Sequence, residues 1–404
     1  MKLATMIRIF LLLGCSALSF GVSAQMDHTK HKPAKIELGT SAAMDAEGRL
    51  WIASKEAGGG EQKGDYVVLQ MSRDMGKNWT APRRIQALPE AISADGENRP
   101  KLAFGAKGEI YVAYTKPLAK PYTGEIRFVR SVDGGLSFSA PQTVHANRDQ
   151  ITHRFESMIV DQTGRIYIAW IDKRDAELAR ARKQAYQGAA IYYAVSDDAG
   201  VSFRGDYRLA EHSCECCRIA LALNPQGHPM ALWRHVFEPN ARDHALAELT
   251  ADGAPQSLTR ASFDDWRADA CPHHGPSLAY AHDGTRHQTW FNVKGEEGGV
   301  FYAAVTAAGV SGKPLRLGNA QAEHADVMVS GRTVVLVWKQ FNGTVTSIMG
   351  KVSGDGGLTW QERDLARTAG NSDQPHLLHT PTGIALLWRT QQDGVQIISM
   401  DSGS

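Results

Sequence analysis

The sequence predicts an all-β protein, a β-propeller of four-stranded blades, with seven blades favoured and six as the alternative. The first observation is a glycine followed by a β-rich run, such as Gly108-Glu-Ile-Tyr-Val-Ala-Tyr114. This motif occurs seven times, spaced 47 to 63 residues apart, at Gly48, Gly108, Gly164, Gly227, Gly284, Gly331 and Gly383. A shorter apolar strand precedes each glycine, as in Lys101–Phe104, and a third strand follows most of them. Four strands per repeat, separated by turn signals, are typical of a propeller.

A second motif, with the pattern S-x-D-x-G-x-[ST/N]-[WF], occurs four times. Its copies are Ser72–Trp79, Ser131–Phe138, Ser196–Phe203 and Ser353–Trp360. The aspartate can accept hydrogen bonds from the backbone of a tight turn, and the glycine can take the positive φ that the turn needs. The closing aromatic residue can pack into the apolar layer between neighbouring sheets. The motif therefore predicts a structural turn, and we expect none of its residues to be catalytic.

This motif resembles the Asp-box, or bacterial neuraminidase repeat, of sialidases and many other β-propellers. The resemblance covers nearly all of residues 35–404 and implies a sialidase-like fold. It also implies that each copy lies between the third and fourth strands of a blade, away from the active face. Sialidases have six blades, so a count of seven repeats departs from that family.

The N-terminus predicts export. Residues 1–24 have the order of a secretory signal peptide, with Lys2 and Arg8 before a short apolar run and small residues at the expected cleavage site. We therefore expect a periplasmic or secreted protein. The alternative is a lipoprotein anchored through Cys15, because Leu12–Cys15 resembles a lipoprotein cleavage box.

The mature chain is expected to contain one domain. Residues 25–34 are polar and are expected to be disordered, and residues 35–404 form the propeller. The last repeat, Gln374–Met400, lacks a fourth strand, and Lys35–Leu38 is expected to supply it and close the ring. Asp175–Gln187 interrupts the β pattern and predicts a short inserted helix.

The composition excludes several classes of partner. The net charge is +1, and no basic excess or charged tail indicates binding to nucleic acid or to a membrane surface. No segment after the signal peptide is apolar for long enough to span a membrane. We expect a monomer that binds a small molecule, a glycan or a metal ion in its central funnel.

Candidate site residues are found just before the innermost strand of each repeat. In a propeller these positions form a ring around the mouth of the central channel. The ring contains Glu97–Arg99, His153–Glu156, Cys216–Arg218, Cys271–His274, Glu323–Asp326 and Asp373–His376. Such a concentration of arginine, histidine, cysteine and carboxylate predicts one ligand site at the mouth. The alternative is a solvated polar rim.

The cysteines and histidines of this ring predict a metal site. The predicted ligands are Cys214, Cys216, Cys217, Cys271, His273 and His274, and thiolates with imidazoles suit copper or zinc. The main functional prediction is therefore a soft-metal-binding propeller. Structural disulfides, with Cys271 bridged to one of the other three, are the alternative, and a single disulfide beside a Cys–His pair is a third.

The resemblance to sialidases implies a second function, that of an exo-acting glycoside hydrolase. Sialidases bind the substrate carboxylate with three arginines and use a Tyr–Glu pair and an aspartate in catalysis. The residues that could correspond are Arg99, Arg154, Arg218, Asp265, Asp269 and Glu156. The Arg-Ile-Pro segment of sialidases and a counterpart of their nucleophilic tyrosine are missing. A non-catalytic propeller that binds a glycan or a protein is the third possibility, and the sequence leaves open whether any reaction is catalysed.

Overall fold

The computed structural model describes residues 36–59, 64–268, 272–294, 298–306, 308–310 and 313–400. Seven antiparallel sheets, each hydrogen-bonded in chain order from its first strand outward, contain every strand in this part of the chain. The arrangement is a seven-bladed β-propeller, which confirms the predicted fold class and the predicted number of blades.

The first three blades have four strands each. The first contains β1 (Ser41–Met44), β2 (Leu50–Ala57), β3 (Asp65–Ser72) and β4 (Arg83–Arg84). The second contains β5 (Lys101–Phe104), β6 (Ile110–Pro117), β7 (Gly124–Ser131) and β8 (Gln142–Thr143). The third contains β9 (His153–Val160), β10 (Ile166–Asp172), β11 (Ala189–Ser196) and β12 (Arg204–Ser213).

The remaining blades are less uniform. The fourth contains β13 (Ala220–Leu223), β14 (Pro229–Arg234), β15 (His244–Glu248) and β16 (Thr259–Arg260). The fifth contains β17 (Ser277–Tyr280), β18 (Arg286–Asn292) and β19 (Gly299–Thr306), with β20 (Gly309–Val310) and β21 (Leu315–Leu317) both paired to β19. The sixth contains β22 (Ala322–Ser330), β23 (Thr333–Phe341), β24 (Thr346–Ser353) and β25 (Gln361–Thr368). The seventh contains β26 (His376–Thr380), β27 (Gly383–Thr390) and β28 (Gly394–Ser399).

A hydrophobic cluster fills each of the seven spaces between neighbouring blades. The second strand of a blade contributes to the clusters on both of its faces, which explains why the glycine motif is so rich in apolar residues. The tryptophans near the ends of four of these strands are at most 1% exposed: Trp170, Trp233, Trp338 and Trp388. The apolar residues that repeat in the sequence are therefore the ones that form the core between the blades.

The four Asp-box-like motifs form the turns after the third strands β3, β7, β11 and β24, where the resemblance placed them. In the third blade, Oδ1 of Asp198 accepts a hydrogen bond from the backbone N–H of Ser202 at 2.9 Å. Its Oδ2 accepts one from the Ser202 hydroxyl at 2.6 Å. Oγ of Ser196 accepts from the backbone N–H of Gly200 at 2.8 Å. Each turn is therefore closed by its own side chains.

The predicted inserted helix is present as α1 (Arg174–Ala181), shorter than the expected segment. Asp175 and Glu177 lie in its first turn and Arg180 in its last, as the helix dipole favours. No helix in the described part of the chain is long and apolar enough to cross a membrane.

The prediction of how the ring closes was wrong. The described residues of the last blade form three strands, and residues 36–40 do not add a fourth. This segment bonds elsewhere: Glu37 contacts Lys55 Nζ at 2.5 Å, and the Gly39 N–H donates to the Ala94 carbonyl at 2.7 Å. The first and last blades instead meet through an apolar cluster that includes Leu50, Ile52, Leu378 and Leu387. Lys35 lies outside the described residues, as do the predicted signal peptide and the polar segment after it.

Candidate functional site

The innermost strands all begin at one face of the propeller, here called the upper face, and a polar network lies at its centre. This floor network consists of Glu97, Arg218 and Gln374. Oε1 of Glu97 accepts hydrogen bonds from Arg218 Nη1 at 2.9 Å and from Gln374 Nε2 at 3.1 Å. Oε2 accepts from the backbone N–H groups of Arg218 at 2.8 Å and Gly275 at 3.2 Å. One carboxylate therefore ties four loops together.

The protein environment keeps Glu97 ionised. Burial by itself raises the pKa of this carboxyl, but the Arg218 guanidinium and the nearby His324 outweigh that effect and hold the pKa well below its usual range. Below the floor network the innermost strands enclose a cavity of about 260 Å³, lined in part by Lys101, Ser157 and Asp326. Arg218 and Gln374 of the floor network also line this cavity.

Two of the three predicted arginines have their guanidinium groups occupied by the protein. Arg99 is 6% exposed and donates to the Thr40 carbonyl at 2.9 Å and to Asp373 Oδ1 at 3.2 Å. Arg218 donates to Glu97 and, at 2.9 Å, to the Ala325 carbonyl. Both side chains hold loops of different blades together. Their guanidinium groups are therefore not free to bind a substrate carboxylate.

Arg154 differs from the other two. In the part of the chain that the structure describes it makes no ion pair, and its buried Nε has no hydrogen-bond partner. Its Cζ lies 4.9 Å from the centre of the Phe155 ring, and its stem passes Gly124, where an added Cβ would lie 3.0 Å from Arg154 Cγ. The ring of His273, which is exposed, lies 6.5 Å from the ring of Phe155.

Two of the three predicted catalytic carboxylates, Glu156 and Asp265, have partners other than these arginines. Glu156 is fully buried, accepts a hydrogen bond from Thr115 and lies 4.0 Å from Lys101 Nζ; burial raises the pKa of its carboxyl. Asp265 is half exposed and forms an ion pair with Arg267 at 3.1 Å. Asp269 lies outside the described residues.

Three of the predicted cysteine ligands converge. The Sγ atoms of Cys214, Cys216 and Cys217 lie within 4.8 Å of one another, and all three residues are buried. Cys214 and Cys217 carry free thiols and are here called the thiol cluster; Cys216 is not among the free cysteines. Sγ of Cys214 lies 3.6 Å from Sγ of Cys217, too far for a disulfide bond of about 2 Å. Cys271 lies outside the described residues, so its predicted bridge to one of the other three stays a prediction.

Arg234 lies against the thiol cluster at the end of β14. Its Nη1 donates to Sγ of Cys217 at 2.9 Å, and its Nη2 donates to the carbonyls of His274 and Phe291 at 2.9 and 2.8 Å. The hydrogen bond from Cys217, together with the charge of Arg234, lowers the pKa of Cys214 to about 5, although burial opposes this. The same hydrogen bond and burial raise the pKa of Cys217.

The two predicted histidine ligands lie apart from the thiols. His274 belongs to a second group of possible metal ligands with Glu323 and His324, and His273 points toward Phe155. Arg234 bonds to Cys217 and to the backbone of His274, and it thereby stands between the two groups. Burial and His324 lower the pKa of His274 to about 2, so its imidazole is neutral.

Three residues around the mouth have an unusual backbone conformation. Phe155, His273 and His324 have φ values of 59°, 50° and 51°, a left-handed conformation that costs energy for residues with a Cβ. They come from the starts of the third, fifth and sixth blades. Such residues concentrate at functional sites. We call Arg154, His273, His274, Glu323 and His324 the mouth cluster.

Sequence reasoning named most of these positions but did not assign their partners. It missed the roles of Arg234, Gly275 and Lys101, which the ring pattern alone does not distinguish. Gly275 is required by space, because a Cβ there would lie 2.2 Å from Arg218 Cγ. A glycine directly before the Pro276-Ser277 strand start was the available signal for this close approach.

Comparison with known proteins shows the fold only. No protein-family model matches the sequence, and no curated protein matches it. Similar solved structures include an ulvan lyase bound to -[GlcA(1-4)Rha3S]-, with a TM-score of 0.54, 10% identity, and coverage of 89% of this chain and 93% of the lyase. A Dyadobacter fermentans protein of unknown function has a TM-score of 0.52, 16% identity and coverage of 78% and 94%. An α-L-arabinofuranosidase from Fusarium graminearum has a TM-score of 0.50, 13% identity and coverage of 78% and 92%.

Proposed function

We propose that this protein is an exported propeller that binds an anionic glycan at the mouth cluster. The observation that carries the proposal is Arg154, whose guanidinium makes no ion pair with any described residue and lies over the ring of Phe155. The ulvan lyase with a similar fold was solved with a ligand that contains GlcA, an acidic sugar. Because a fold alone does not determine function, the proposal rests on the mouth residues.

The physical argument concerns the carboxylate of a uronic acid. The planar guanidinium of arginine can donate two parallel hydrogen bonds to a carboxylate, which gives both affinity and orientation. Stacking on Phe155 and the close approach to Gly124 fix the side chain of Arg154 before a ligand arrives. A fixed donor loses less conformational entropy on binding than a mobile one.

The geometry supports binding better than sialidase-type hydrolysis. A sialidase-type site would need Arg99 and Arg218 for the substrate, and both are bonded to the protein. Glu156 lies buried beside Lys101 rather than at the mouth. We therefore expect no release of sugar from a fluorogenic sialoside, and robust turnover would establish the hydrolase function instead.

The proposal is tested with residues 25–404 and two oligosaccharides of equal length, one of galacturonic acid and one of neutral glucose. Isothermal titration calorimetry should detect binding of the acidic oligosaccharide only, and added salt should weaken it. Arg154→Ala should reduce the affinity at least about tenfold, or about 1.4 kcal/mol. Arg154→Lys should bind more tightly than Arg154→Ala but less tightly than the wild type, because lysine has the positive charge but not the planar guanidinium group.

Arg332→Ala is the matched control, because Arg332 is exposed in the β22–β23 turn, at the end of the blade opposite the mouth. It should leave the affinity unchanged. Equal affinity for the neutral oligosaccharide, or an Arg154→Ala variant that binds as well as the wild type, would refute the proposal.

A second candidate function, binding of copper(I), is favoured by the thiol cluster. Cys214 and Cys217 hold their sulfur atoms 3.6 Å apart, and thiolates are the ligands that copper(I) prefers. Reduced protein offered copper(I) should retain about one equivalent after gel filtration, and Cys217→Ser should retain less. If the reduced wild-type protein retains no copper, this function is excluded.

A further inference from the structure

Three side chains of the mouth cluster bring nitrogen and oxygen atoms together as a metal ion requires. His274 precedes β17, whereas Glu323 and His324 belong to β22. One potential ligand atom from each lies within 4.8 Å of the other two. The imidazole rings of His274 and His324 are 4.3 Å apart, and Nε2 of His324 lies 3.9 Å from Oε2 of Glu323. The group therefore joins the fifth and sixth blades.

The surroundings hold both imidazoles in place. The ring of Phe291 packs on His274 at 4.1 Å, and the His274 carbonyl is fixed by Arg234. Nδ1 of His324 faces Oε1 of Glu97 at 3.4 Å. A metal-binding histidine usually directs its second ring nitrogen at a carboxylate or carbonyl, which orients the ring. Nδ1 of His324 approaches Glu97 in this way without a formed hydrogen bond, and Nε2 is left to face Glu323.

We propose that His274, His324 and Glu323 bind one zinc ion, with a fourth coordination position open at the mouth. Two imidazoles and one carboxylate are a donor set typical of zinc sites that keep an open position. Zinc–ligand bonds of about 2.0–2.2 Å require the three atoms to approach one another on binding, which side-chain rotation provides. The side chains of Glu323 and His324 are 32% and 13% exposed, so an ion can reach them from solvent.

Three neighbouring cations oppose a metal ion here: Lys339 beside Glu323, and Arg218 and Arg234 near His274. Nζ of Lys339 lies 3.8 Å from Oε1 of Glu323, longer than a hydrogen bond. The other oxygen, Oε2, is the one that faces His324. Oε1 of Glu323 can therefore stay near the ammonium group while Oε2 binds the ion. The buried carboxylate of Glu97 adds negative charge on the other side of His324.

The experiment is a zinc titration of EDTA-stripped residues 25–404 in competition with a chromophoric chelator. One equivalent should bind, and cobalt(II) in its place should give the intense visible absorption of a tetrahedral site. His324→Ala should lower the zinc affinity by more than about 100-fold, since loss of an outer partner alone costs about 10–100-fold. Glu323→Gln should lower it by a smaller factor and tests the site without a change of side-chain size.

Two control variants distinguish zinc binding at this site from zinc binding elsewhere in the protein. His282→Ala removes an exposed histidine of the β17–β18 turn and should leave zinc binding unchanged. The double variant Cys214→Ser/Cys217→Ser should also retain zinc binding. Zinc binding that survives both His324→Ala and Glu323→Gln, that disappears in the cysteine variant, or that is absent from the wild type would overturn the proposal. Oligosaccharide binding measured with EDTA present reports on the glycan proposal independently.

Discussion

Replacement of Glu97 by glutamine is the sharpest test of how the upper face is built. The carboxylate accepts two hydrogen bonds at each oxygen, from Arg218 Nη1 and Gln374 at one and from two backbone N–H groups at the other. An amide nitrogen at either position leaves two donors without an acceptor. Each buried unsatisfied donor costs about 1–3 kcal/mol. The sum, about 2–6 kcal/mol, brackets the roughly 3–5 kcal/mol expected when one partner of a buried ion pair is removed.

The same variant should change the response to acid. Because the folded state lowers the pKa of Glu97, its ionisation stabilises the protein above the unfolded-state value of about 4.3. That stabilisation is lost progressively as the pH falls below this value toward the lower folded pKa. Glu97→Gln cannot titrate, so the difference in stability between wild type and variant should shrink below about pH 4.

The assay is urea unfolding followed by tryptophan fluorescence at several pH values. Glu362→Gln is the control, because Glu362 also contacts a cation, Lys351 at 2.6 Å, but its side chain is 49% exposed. We expect the control to cost less than about 1 kcal/mol. A Glu97→Gln variant that loses no more stability than the control at pH 7 would refute the assignment of Glu97 as the buried centre of the floor network.

Two further predictions follow from the turns and from the floor network. Asp198→Ala removes the acceptor that closes the turn after β11 and should cost about 1 kcal/mol in urea unfolding, with oligosaccharide affinity unchanged; a loss of affinity in the folded variant would contradict a purely structural role. Gly275→Ala places a Cβ 2.2 Å from Arg218 Cγ and 2.8 Å from Glu97 Oε2 and should cost about 1–3 kcal/mol in the same assay; an unchanged unfolding midpoint would show that the floor network can move aside.

The sequence was sufficient for the fold because a propeller repeats a local pattern. The glycine motif, the strand before it and the aspartate-containing turn each specify structure within one blade, and seven repeats specify seven blades. The closing strand was mispredicted because Lys35–Leu38 satisfies the alternation expected of a strand. The side chain of Glu37 and the backbone of Gly39 instead find partners in Lys55 and Ala94, which no local pattern indicates.

The site was only partly predictable, because its partners come from different blades. The ring pattern identified both Glu97 and Arg218, which are 121 residues apart, but it could not show that they bond to each other. Cys217 and His274 were expected to share a site because they precede adjacent innermost strands. In the structure Arg234 reaches between them from the end of β14 and bonds to both residues. Arg234, which is not one of the ring residues, therefore separates the cysteines from His274.

The three arginines occupy similar ring positions but have different partners. Arg99, Arg154 and Arg218 precede or begin innermost strands in successive blades, so they occupy similar positions in the repeat. Arg99 meets Asp373 and Arg218 meets Glu97, each a carboxylate brought by another blade. Arg154 meets the face of Phe155 instead, and an aromatic ring orients a guanidinium without neutralising it. The ion pairs join loops of different blades, and the unneutralised arginine is available to the acidic ligand proposed above.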